Sequence, residues 1–80
     1  MQKPDLTSEA QVDARGVPCP MPLLKAKLAL NALQAGEVLY VMATDPGSQR
    51  DFKSFAQLAG HELLAEWSEA SEYHYWLRKG

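Results

Sequence analysis

One cysteine in eighty residues leaves this chain with no disulfide of its own. A fold near the lower size limit for unaided domains must then be held together by packing alone. No Cys/His cluster at zinc spacing offers a metal staple, so the residues call for neither metal nor cofactor. The composition can meet the demand, since 46% of the residues are apolar and the aromatics include two Trp, two Phe and three Tyr. A single domain over residues 9–80 is expected, with a polar, disordered segment over 1–8. An unpaired cysteine suits a reducing compartment. The start lacks a hydrophobic signal core, and no apolar run reaches membrane-spanning length. A soluble cytoplasmic protein is the resulting expectation.

Apolar periodicity divides the chain into six elements. Ala10, Val12 and Ala14 alternate onto one face of a first strand, which Gly16-Val17-Pro18 breaks. A helix is predicted from about Pro20 to Ala35. Pro20 and Pro22 fit its first turn, where N–H groups have no intrahelical partner and the ring presets φ. Leu23, Ala26, Leu30 and Leu33 form its apolar face, widened by Leu24 and Leu28, and Gly36 supplies the stop. Val38 to Ala43 is a near-continuous apolar run, the mark of a buried central strand. Asp45-Pro46-Gly47 ends it, and Ser48 is placed to cap a second helix with Asp51 three residues on. Phe52, Phe55, Ala56 and Ala59 make that helix's stripe, and Gly60 closes it. Two strands follow, over 61–67 and 72–78, joined through Ser68–Ser71 as a hairpin. Leu63, Ala65 and Trp67 are expected on one face of the first. Tyr73, Tyr75 and Leu77 should share a face of the second, opposite His74, Trp76 and Arg78.

The order β-α-β-α-β-β predicts a two-layer α/β sandwich: a four-stranded mixed sheet with two helices on one face. If the first two strands are parallel, the loops after them emerge at the same sheet edge, where α/β proteins gather their sites. One loop carries Gly16 to Cys19 and the other Asp45 to Ser48, so Cys19 and Asp45 should be neighbours.

Cys19 is the candidate functional residue. It stands at the predicted N-terminus of the first helix, where unpaired N–H groups and the helix dipole favour thiolate, the nucleophilic form. Without a second cysteine it cannot form an internal dithiol couple. The net charge of −2 weighs against direct nucleic-acid binding. The neighbourhood of the thiol is nonetheless basic: Arg15, Lys25 and Lys27 flank it with no acidic residue between Ala14 and Gly36. These three and Arg50 are candidates for docking a partner, an acidic one or RNA phosphates, and solvated helix-face cations are the plain alternative.

Asp13, Gly16, Cys19-Pro20-x-Pro22, Gly36, Asp45-Pro46, Gly60 and the closing Arg78-Lys79-Gly80, taken together, resemble the TusA/SirA-like small sulfur-carrier proteins from about residue 11 to the C-terminus. The resemblance implies the β-α-β-α-β-β two-layer fold. It also implies that Cys19 accepts sulfane sulfur from a cysteine desulfurase, holds it as a persulfide and passes it to a relay or thiolation protein, as in 2-thiouridine formation in tRNA. Other members feed molybdenum-cofactor or sulfur-oxidation pathways. Gly16, Pro20, Pro22, Asp13 and Asp45 are then the residues that support the site. Met21 occupies the motif's variable position, where tRNA-relay members often carry an acid, and Arg15 stands where an aliphatic residue is common; both leave the acceptor open. Other readings of the same residues are a buried inert thiol, a redox sensor, and a regulatory or RNA-binding module in which the thiol is unused.

Overall fold

The computed structural model describes residues 6–18 and 21–80. Six elements follow in the expected order: β1 (Ala10–Ala14), α1 (Met21–Asn31), β2 (Val38–Ala43), α2 (Ser48–Ala59), β3 (Glu62–Glu69) and β4 (Glu72–Arg78). The strands lie in the order β1-β2-β4-β3. β1 runs parallel to β2, with Ala10 opposite Leu39 and Ala14 opposite Ala43. β2 and β3 each run antiparallel to β4. The sheet is therefore mixed, and its two inner strands, β2 and β4, are the ones richest in buried residues. Of the segment over 1–8, residues 6–8 are exposed and without regular structure, and residues 1–5 lie outside the described residues.

Both helices pack on one face of the sheet. Ala26 and Leu30 of α1 meet Leu39, Val41 and Ala43 of β2, Phe52 and Ala56 of α2, and Tyr75 and Leu77 of β4 in one buried cluster. Each helix buries positions i, i+4 and i+8: Pro22, Ala26 and Leu30 in α1, Ser48, Phe52 and Ala56 in α2. That spacing is a single helical stripe. Phe52 stacks on Tyr75 with ring centroids 4.6 Å apart, an offset geometry that adds to their burial.

The other face holds a second cluster of Tyr40, Met42 and Trp76, with Val38, Leu64, Ala65 and Trp67 against it. Tyr40 stacks on Trp76 at 4.8 Å. Trp76 is 2% exposed and His74 6%, so both belong to the buried part of this face. They sit on inner strand β4, where Tyr40 of β2 stacks against both and Trp67 of β3 lies against His74. His74 also meets the Tyr40 hydroxyl through Nδ1 at 2.5 Å.

Several expectations are corrected. α1 ends at Asn31 instead of Ala35, because the chain tightens into i→i+3 bonds: Ala32 N–H donates to the Ala29 carbonyl and Leu33 N–H to that of Leu30. Lys79 Nζ then donates to the Leu33 carbonyl at 2.7 Å, taking up one of the carbonyls the helix end leaves free. Leu24 and Leu28 do not widen the buried face; they are 45% and 72% exposed. Ser48 is not the cap of α2: Gly47 holds that place, and the Ser48 side chain turns inward. Leu63 parts from Ala65 and Trp67 because a bulge in β3 makes Leu64 an extra residue between the Leu63–Leu77 and Ala65–Trp76 pairs. One inserted residue flips the side chains beyond it to the other face. The hairpin is also tighter than Ser68–Ser71, since only Ala70 and Ser71 lie between the strands, with φ of 51° and 68°. Positive φ at both central positions is the signature of a type I′ turn.

Candidate functional site

The β1–α1 and β2–α2 loops meet at one end of the sheet, as two parallel neighbours require. The last pair of their ladder is Ala14 opposite Ala43. Beyond it, Gly16 takes φ of 82° and its N–H donates to Thr44 Oγ1 at 2.9 Å. Gly16, Val17 and Pro18 then face Thr44, Asp45 and Pro46 across a shallow depression of about 300 Å³. Met21 N–H donates to the Pro18 carbonyl at 2.9 Å, which brackets positions 19 and 20. Cys19 and Pro20 themselves lie outside the described residues. The expected proximity of Cys19 to Asp45 therefore falls outside the described residues; what the structure shows is that Gly16–Pro18, leading to Cys19, and the segment carrying Asp45 line one concavity.

Asp13 and Arg15 form a local clamp before this loop. Arg15 Nε donates to Asp13 Oδ1 at 2.9 Å and Nη2 to Oδ2 at 2.8 Å, while the Arg15 backbone N–H also reaches Oδ1 at 3.1 Å. The fork of the guanidinium matches both carboxylate oxygens. These bonds from the Arg15 side chain, and then its backbone N–H, hold the Asp13 carboxyl down at about 2, and the same partner pushes the Arg15 guanidinium up. Arg15 Nη1 further approaches Glu72 Oε2 at 3.5 Å, and Glu72 Oε1 lies 3.4 Å from His74 Nε2. Of the four cations expected to dock a partner, Arg15 is thus engaged within the fold. Lys25 and Lys27 are exposed on α1, and Arg50 is exposed in the first turn of α2.

Asp45 is half-buried, and its carbonyl accepts the Ser48 N–H at 3.0 Å, turning the chain into α2. Pro22 is buried in the first turn of α1 and anchors that end of the helix to the core. Gly60, at φ of 78°, caps the end of α2, whereas Gly36, at φ of 91°, does not stop α1 as expected but lies in the turn before β2.

Two contributors escaped the reading of the sequence. Thr44 was not singled out, although a hydroxyl at the end of a parallel strand is well placed to bond the neighbouring loop. An apolar patch on the helical layer was also missed: Met21, Leu24, Leu28 and Leu58 are 42%, 45%, 72% and 87% exposed. Between the helices, Leu23, Lys27, Phe55 and Leu58 help line an open groove of about 420 Å³. The signal for it was present, because apolar residues in α1 occupy more of the circumference than one sheet face can bury. Among the described residues no group of three or more His, Cys, Asp or Glu converges as a metal site, and no helix is long and apolar enough to cross a membrane.

Two adjoining loops at one end of a small two-layer sheet, one of them leading to the chain's only cysteine, define the class: a thiol-bearing α/β sandwich of β-α-β-α-β-β order. The family described as sulfurtransferase TusA matches residues 10–79, and this chain belongs to it. It is 45% identical over 71 residues to the sulfur carrier protein TusA of Allochromatium vinosum, covering 89% of this chain and 93% of that one. It is 37% identical over 75 residues to the putative sulfur carrier protein YrkI of Bacillus subtilis, covering 94% of this chain and all of that one. Among solved structures, a SirA-like protein from Desulfitobacterium hafniense superposes with a TM-score of 0.78 at 26% identity, over 89% of this chain and 97% of that one.

Proposed function

We propose that this protein is a cytoplasmic sulfur carrier that takes sulfane sulfur from a cysteine desulfurase onto Cys19 and delivers it to a downstream relay or thiolation protein. The family match across residues 10–79, with relatives named as sulfur carriers, carries this reading. The arrangement of the loops supports it. A carrier needs its thiol on a rigid frame at an accessible edge, and the loops on either side of the sheet edge are tied to each other and to the core.

In the first step the Cys19 thiolate attacks the terminal sulfur of the donor's persulfide. The attacking electron pair makes the new S–S bond, the donor's S–S bond breaks, and the donor cysteine leaves as a thiolate. In the second, an acceptor thiolate attacks the outer sulfur on Cys19, and the Cys19 thiolate is restored as leaving group. Sulfur moves with no net oxidation or reduction, so neither a cofactor nor an added oxidant is needed. Asp45, Gly16, Pro20, Pro22 and Asp13 serve as supporting residues. Asp45 is not an activating base, because a carboxylate beside a thiol disfavours its ionisation.

The helical layer is the docking side. Met21, Leu24, Leu28 and Leu58 expose apolar area on the two helices, Met21 beginning α1 next to the thiol loop, and Lys25 and Lys27 are exposed on the same helix. Aliphatic anchors rimmed by cations suit a partner with an apolar ridge and acidic flanks. Thiolation of tRNA uridine is one pathway such a relay serves.

The deciding experiment is intact-protein mass spectrometry after incubation with a cysteine desulfurase and free cysteine. A gain of one sulfur, lost on reduction and absent in Cys19→Ser, is expected. No gain in a protein whose thiol still alkylates would sink the carrier reading, and full biological activity of Cys19→Ser would favour a regulatory module instead.

A further inference from the structure

Where the parallel ladder ends, the two loops must part, one toward Cys19 and the other toward Asp45. At that point Thr44 Oγ1 accepts the Gly16 N–H at 2.9 Å, so a side chain takes over the bridging that the ladder can no longer supply. The peptide before it is fixed as well, with Arg15 N–H bonded to Asp13 Oδ1 at 3.1 Å. Consecutive N–H groups on the thiol loop are thus held by side-chain oxygens from β1 and from the loop after β2. Threonine suits this position, since its branched Cβ restricts χ1 and keeps the hydroxyl aimed. Glycine at position 16 answers backbone torsion and not crowding, because a Cβ there would meet no heavy atom within 4 Å at φ of 82°.

We propose that Thr44 is a positioning residue for sulfur transfer, its hydroxyl locking the thiol loop against the Asp45 loop so that both dock as one surface. The proposal rests on the carrier reading. Transfer between two proteins requires attacking, central and leaving sulfurs to come into line while both surfaces are docked, and small misplacements are costly in rate. A small alkylating reagent reaches the thiol without docking and is insensitive to such slack. Thr44 therefore acts on transfer between proteins and not on the reactivity of the thiol.

The test compares Thr44→Val, which keeps the shape and loses the hydroxyl, with Thr44→Ser, which keeps the hydroxyl. Three rates are read on each intact protein: sulfur uptake from a persulfide-loaded cysteine desulfurase, alkylation by iodoacetamide, and hydrogen exchange at the Gly16 amide. Thr44→Val is expected to slow uptake by about tenfold or more while alkylation stays within about twofold of wild type, on the scale that loose alignment imposes. Its Gly16 amide exchanges faster, and Thr44→Ser stays near wild type in all three readouts. Wild-type uptake by Thr44→Val overturns the proposal, as does a parallel loss of uptake and alkylation, or a Thr44→Ser as slow as the valine variant. A wild-type protein that alkylates but takes no sulfur refutes the carrier reading and, with it, any transfer role for Thr44.

Discussion

Ser48 Oγ and Tyr75 Oη lie 2.7 Å apart beneath the first turn of α2, each in a residue only 1% exposed. This bond joins the helical layer to the centre of β4, and it explains why Ser48 faces inward instead of capping its helix. Each hydroxyl is the other's means of leaving water without an unpaired polar atom. Removing one partner should cost about 1–3 kcal/mol, whereas removing both should be close to neutral. Ser48→Ala and Tyr75→Phe are therefore each expected to lower stability in urea unfolding, and the double variant to recover most of the loss. Additive losses would contradict this account.

The same phenol has a pH signature. Burial pushes the Tyr75 pKa up from 10.0 to about 12, with the Ser48 hydrogen bond pulling the other way. A raised folded pKa means that the stability it reflects is fully present below pH 10 and is lost as pH rises toward 12. Ultraviolet titration should show a tyrosine that ionises late, and stability should fall over that window. Tyr75→Phe should remove this part of the decline.

Asp13 titrates at the opposite end of the scale. Its carboxyl is held at about 2 by the Arg15 side chain and backbone. A depressed folded pKa gives a contribution present above the ordinary value of 3.8 and lost as pH falls through about 2. Carboxyl-carbon NMR should give Asp13 a midpoint near 2, and Arg15→Met should raise it toward 3.8. An unshifted midpoint in the wild-type protein would mean that the clamp does not persist in solution.

The β3–β4 turn is made by residues ill suited to it. Ala70 and Ser71 both hold positive φ, a conformation that disfavours L-residues by roughly 1–2 kcal/mol each and that Asn-Gly adopts with less strain. Replacing the pair by Asn-Gly should stabilise the protein by about 1 kcal/mol, raising Tm by roughly 4–8 °C for a domain of this size. Calorimetry checks it, and an unchanged or lower Tm would argue against the type I′ turn.

Leu58 is 87% exposed, so Leu58→Gln should change stability by no more than about 0.5 kcal/mol. If the helical layer docks the sulfur donor, the same variant should slow sulfur uptake by Cys19 while leaving its alkylation intact. Normal uptake kinetics would remove Leu58 from the docking face.

Much of this architecture was legible in local pattern. The run Val38–Ala43 has apolar side chains at successive positions because β2 is an inner strand buried on both faces, by the helices on one and by neighbouring aromatic side chains on the other. The Phe52–Ala56 stripe read as a helix face and is one. Ends and faces were harder to read. Nothing near Ala35 announces that Lys79, from the far end of the chain, will take the Leu33 carbonyl and help finish α1 early. The bulge at Leu64 has no local mark, since Leu-Leu-Ala suits either register. Ser48 is an excellent cap by residue type, and only the partner waiting on β4 turns it inward.

The sequence by itself determined the element order, the two-layer class, the lone thiol and the motif around it, because periodicity, proline and glycine act within a few residues and leave a local trace. The tertiary structure alone decided the strand order, the bonding of Arg15 to Asp13 and its approach to Glu72, the burial of His74 among aromatic rings, and the tie between Thr44 and Gly16. Most of these relations join residues far apart in the chain. Their energies depend on distance and desolvation, which exist only once the sheet has brought the strands together.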